Sequence, residues 1–106
     1  MASGQDLVKI AQAESGTKES GTNNVKYNTW FYGHEVDGSN YPWCAVFVSW
    51  CADKAGITTD IMPKTASAGY FAHYANQGHG EVFTNKNPEA GDLFLINYNG
   101  SDWANH

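Results

Sequence analysis

The stretch YPWCAVFVSWCADKAG, Tyr41 to Gly56, constrains this chain more than any other. Eleven of its sixteen residues are apolar or aromatic, and only Ser49, Asp53 and Lys54 interrupt the apolar surface of its core. Such a segment reads as a helix covered on most sides and therefore central to the fold around it. Pro42 suits a first helical turn, where its missing N–H would have no partner anyway. Gly56 suits a left-handed cap just after Ala55. The expectation is a buried helix from about Pro42 to Ala55.

Both cysteines of the chain lie on this helix, and their positions differ physically. Seven residues at 1.5 Å rise put Cys44 and Cys51 roughly 10 Å apart along the axis. A disulfide needs Cα atoms within about 7 Å, so both are expected as free thiols. Cys44 falls at the helix start, where unpaired N–H groups and about half a positive charge favour a thiolate. Cys51 falls on an apolar face, where burial favours the neutral thiol. The first is the candidate nucleophile and the second is packing, although a small buried cysteine is the plain alternative for Cys44 too.

Bulk composition removes several function classes. The 106 residues are 42% hydrophobic and 16% charged, which reads as one folded domain rather than a disordered tail. A net charge of -5 with only six basic residues argues against binding nucleic acid or adsorbing to an anionic membrane. MASGQDLVKIAQAES lacks the basic start and apolar run of a signal peptide, and no apolar block approaches a membrane span. Synthesis in the cytoplasm is the expectation. No Cys-x-x-Cys or His-x-x-x-His pair and no calcium-loop spacing occurs, so neither a metal nor any other cofactor is expected. VDGSN is too short to bind a cation other than weakly.

Along the chain, Leu7, Ile10, Ala11 and Glu14 at helical spacing predict a first helix from about Gly4 to Ser15, stopped by Gly16. SGTKESGTNNVKYN reads as a polar loop, and TWFYGHEVDGSN as an aromatic stretch that becomes a turn at Asp37-Gly38. Another helix is expected from about Ser67 to Asn76, with Tyr70, Phe71 and Tyr74 as packing. Leu93 to Tyr98 is expected as a strand. Helices first and a strand late predict α+β rather than an alternating plan.

A thiolate nucleophile needs a base, and four histidines are available. His34, His73 and His79 read as solvated or satisfied. His106 follows the predicted strand by one turn, where a second strand should begin and could face the helix start. YPWCAVFVSWC, then PEAGDLFLINY, then a histidine after a short turn, resembles the CHAP family of cysteine, histidine-dependent amidohydrolases and peptidases. NNVKYNTWFYG also resembles the upstream part of such domains, so the likeness runs from about Asn23 to His106.

That resemblance implies a papain-like α+β thiol hydrolase, with helices packed on an antiparallel sheet. It implies Cys44 as nucleophile and His106 as general base, acting on an amide of bacterial peptidoglycan at the cell wall after release or export. The bond would be the sugar–peptide amide or one within the stem or bridge peptides. In the family, further strands and a polar residue that orients the imidazole follow the histidine. The expectation here is a single catalytic domain over residues 1–106 without those strands, with Asp102 and Asn105 the only polar residues near His106. An unpaired strand edge of that kind invites self-association.

Trp30, Tyr32, Tyr41 and Trp43, with Phe31, are candidates to line a groove for sugars or peptides, and equally candidates for core. Glu14, Glu19, Glu35 and Asp37 read as solvated. Two rival functions stand beside the enzyme: a non-catalytic cell-wall binding module, and a half-domain that works only with a complementary segment. The binder needs neither a cysteine at a helix start nor a histidine placed to serve it.

Overall fold

A computed structural model describes residues 4–71 together with 92 and 93. Three helices organise that region: α1 (Gly4–Ala13), α2 (Lys26–Tyr32) and α3 (Cys44–Ala55). Among the described residues there is no β-strand, only an isolated antiparallel bridge between Ser20 and Asn24. Of the predicted strand at 93–98 only Leu93 is described, and the predicted helix at 67–76 is described and helical over 68–71. The expected sheet lies outside the described residues.

Helix α3 is the central element, as its composition demands. One side packs with Leu7, Met62 and Phe71 through Ala45, Cys51 and Ala52, and Ile10 and Ala11 of α1 add to that cluster. The other side packs through Val46 against Val25 and Tyr27. Gly56 takes the left-handed conformation at φ 79°, and its N–H and that of Ile57 close onto Asp53 and Ala52 carbonyls. This is the cap that a glycine permits at low cost. Pro42 does not enter the first turn. The helix begins at Cys44 with Trp43 as N-cap, because Trp43 takes φ -120° and ψ 15° and its carbonyl accepts the first bond, from Phe47 N–H at 2.8 Å.

The element missing from the sequence reading is α2. KYNTWFY is rich in aromatics and holds a β-branched residue, types that favour strands, and seven residues fall below the length at which an isolated helix holds. No side chain caps its start at Val25. Tertiary packing makes the helix: Tyr27, 1% exposed, meets Trp43, Phe47 and Trp50 with ring centroids 4.8–5.5 Å away. Gly33, at φ 82°, ends it by donating to the Thr29 carbonyl.

Two buried polar side chains tie the surrounding loops to this core. Ser49 Oγ accepts Thr65 N–H at 3.0 Å and lies 2.9 Å from the Ala45 carbonyl, so residues 63–68 are fixed against α3. Asn28, fully buried, donates its Nδ2 hydrogens to the carbonyls of Asn23 and Tyr41, each at 2.9 Å. The segment leading into α3 is thereby held to the turn at 19–24. Of the predicted packing residues, Phe71 is buried but Tyr70 is 36% exposed, since they are adjacent on a helical turn and face different ways.

Candidate active site

Cys44 is the first residue of α3 and half-buried, and no side chain caps that helix terminus. Its own N–H and those of Ala45 and Val46 precede the first intrahelical bond, so the helix itself supplies them no acceptor. In front of it lies a cavity of about 560 Å³. Pro42, Trp43, Cys44 and Ala45 form one wall, with Phe47 and Val48 from the next turn of α3. Ala68 and Phe71 close another side, and Asn23, Asp92 and Leu93 reach it from distant parts of the chain. The volume lies within the range of small-molecule and peptide-side-chain pockets.

Cys51 contrasts with Cys44 at every point. It is 2% exposed within the core cluster, and both thiols are free. Burial, reinforced by the negative charge of Glu14, pushes the Cys51 thiol up from an ordinary value of 9.0 to about 11. Because the folded state holds this proton more tightly, the associated stability is complete below pH 9 and is lost as pH rises toward 11. The urea midpoint of the parent chain should therefore fall more steeply across that interval than that of Cys51→Ala, and an equal fall in both would contradict the assignment.

Of the acidic residues read as solvated, Glu19, Glu35 and Asp37 are exposed and Glu14 is half-buried, and each also has a partner. Glu14 forms an ion pair with Lys26 and accepts the Tyr27 hydroxyl at 3.0 Å, and both interactions hold its carboxyl below the usual range. Glu19 accepts Asn23 N–H at 2.8 Å and Trp43 Nε1–H at 2.9 Å, which likewise lowers its carboxyl. Asp37 accepts Thr22 N–H at 3.0 Å, and Glu35 receives a long bond of 3.4 Å from Asn24. These partners lie 4 to 24 residues apart in sequence, so no local pattern announced them.

Of the candidate binding aromatics, Trp43 borders the cavity beside Cys44. Trp30, Tyr32 and Tyr41 do not appear in its described lining. Tyr32 and Tyr41 pack edge to face at 5.2 Å, and Lys64 lies over the Trp30 ring at 4.4 Å from its centroid. Asn23, which sequence reasoning passed over, does line the cavity, and at φ 68° it is the one described non-glycine residue in the left-handed region. Asparagine tolerates that conformation better than most residues, and its position after Gly-Thr in a turn was the available signal. His106 lies outside the described residues, as do Asp102 and Asn105.

The family model of the CHAP domain matches residues 36–106, two thirds of the chain. The chain belongs to the CHAP-domain family. CHAP domains are hydrolases of the amidase and peptidase kind associated with the cell wall, and the matched segment contains α3, Cys44 and most of the cavity lining. Neither a curated protein nor a solved structure matches the chain. Among the described residues no group of three or more His, Cys, Asp or Glu side chains is placed to hold a metal, and no helix is long and apolar enough to cross a membrane.

Proposed function

We propose that this CHAP domain hydrolyses an amide bond of bacterial peptidoglycan, with Cys44 as nucleophile and His106 as general base. The observation that carries the reading is Cys44 at the uncapped start of α3, on the wall of a cavity, within the family match. The Cys44 thiolate adds to the amide carbonyl carbon. The C–N bond then breaks, the imidazolium gives its proton to the departing amine, and a thioester remains. Water, deprotonated by the same imidazole, releases the acid and restores the thiolate. Backbone N–H groups at the α3 start supply the oxyanion donors.

On this reading, a papain-like arrangement would bring the chain after Leu93, through the strand expected over 93–98, to set His106 opposite this helix start. Trp43 contacts the substrate beside the nucleophile, and the strip of Trp30, Tyr32 and Tyr41 extends that surface along a glycan or peptide. The partner is the cell wall, reached after release or export, and no cofactor takes part.

Alkylation of the two thiols as a function of pH, resolved by peptide mass spectrometry, tests the reading directly. Cys44 should react readily in the folded chain, while Cys51 should resist until the chain unfolds or the pH approaches 11. Equal labelling rates at both positions in the folded chain would remove the basis for a nucleophile at position 44.

A further inference from the structure

We infer that Glu19 is a positioning residue for the Cys44 cavity, its single carboxylate fixing the two walls that flank the nucleophile. This rests on the reading of that cavity as the substrate site. One oxygen, Oε2, accepts the backbone N–H of Asn23 at 2.8 Å, and the other, Oε1, accepts the indole Nε1–H of Trp43 at 2.9 Å. Both donors belong to residues that line the cavity. Trp43 is also the residue whose carbonyl starts α3, immediately before Cys44. A side chain outside the family match therefore sets the rotamer of a residue beside the nucleophile.

The rest of the turn is built to present Asn23 in one way. Its carbonyl accepts Asn28 Nδ2 at 2.9 Å, and its own Nδ2 donates to the Gly38 carbonyl at 3.0 Å. Gly38 N–H in turn donates to Thr22, and Asp37 accepts the Thr22 N–H. Gly21, at φ 57°, has no room for a Cβ beside the Asp37 carboxylate. These bonds hold Asn23 at positive φ, a conformation that asparagine adopts in turns more readily than most residues. Among the described residues Glu19 is the acceptor of the Trp43 indole N–H, while the ring stacks on Tyr27 at 5.5 Å and meets Phe47 edge-on.

Glu19 thus contributes to substrate affinity without touching the reacting atoms. Removing it frees the Trp43 indole and loosens Asn23 while leaving Cys44, α3 and the Tyr27 stack in place. Charge-assisted bonds of this type are stronger than neutral ones, and solvent screening reduces the effect at an exposed carboxylate.

The test uses Cys44→Ala, which binds without turnover, and soluble peptidoglycan fragments as the probe. Adding Glu19→Ala should weaken binding about three- to tenfold. Trp43→Phe, which deletes the donor and keeps an aromatic ring, should weaken it too, and the two losses together should fall short of their product. The Trp43 indole N–H resonance, assigned by its disappearance in Trp43→Phe, should move upfield in Glu19→Ala and return part-way in Glu19→Gln. Unchanged affinity in Glu19→Ala, or losses that multiply, would overturn the inference, as would an unmoved indole resonance. If the Cys44→Ala chain itself binds no fragment, the reading of the cavity fails, and the inference with it.

Discussion

Cys44→Ala should lower peptidoglycan hydrolysis by about four to six orders of magnitude, the cost typical of deleting a nucleophile that acts as a unit with its base. The measurement is the release of new amino groups from purified cell walls at equal concentrations of folded protein. Cys51→Ala is the matched control. It lies seven residues along the same helix, packs with Leu7, Met62 and Phe71, and has no place on the cavity wall. Its loss should lower stability and leave turnover per folded molecule within about twofold. Hydrolysis by Cys44→Ala within about tenfold of the parent chain would mean that bond cleavage, if present, runs through another group. Parent walls binding the chain with no amine released would favour the non-catalytic wall binder.

The largest effect on stability is expected at Tyr27. It is the largest fully buried side chain described, 1% exposed, and three aromatic rings of the α3 region surround it. Truncating a buried aromatic to alanine costs about 3–5 kcal/mol, and each aromatic pair adds a geometric preference of about 0.5–1.5 kcal/mol. Total stability of a domain this size is only about 5–15 kcal/mol. Tyr27→Ala should therefore be largely unfolded at 37 °C, visible as lost helical circular dichroism and a collapsed urea midpoint. Tyr27→Phe keeps the rings together and gives up the hydroxyl's interactions with Glu14 and Thr17. It should stay folded. A stable Tyr27→Ala would show that α2 is not the buttress its packing implies.

The residues explain which parts of this architecture could be read in advance. Helix α3 was legible because Pro42 and Gly56 bracket an apolar run too long and too uniform to be anything but buried, and its two cysteines fall where their spacing puts them. The one correction there is two residues at the start, where Trp43 rather than Pro42 forms the boundary. Helix α2 was hidden because Tyr27, Thr29, Trp30 and Phe31 favour extended structure when taken alone. Only α3, remote in sequence, supplies the surface that makes them helical. The Cys44 half of the site was visible as a helix start. Asn23 and Glu19 were not, because their roles arise from contacts with Trp43, Asn28 and Gly38 across 4 to 24 residues of polar loop.

Helix α1 carries a practical consequence for where this domain begins. The family match opens at residue 36, yet Leu7, Ile10 and Ala11 help fill one flank of α3 beside Met62 and Phe71, and Val25 and Tyr27 help fill the other. A boundary drawn by likeness would cut through the protein's interior and strip part of the packing from both flanks of α3. The cooperative unit is larger than the recognisable one. Any graft of this CHAP domain onto a separate module has to carry its first thirty-five residues as part of the cargo, not as spacer.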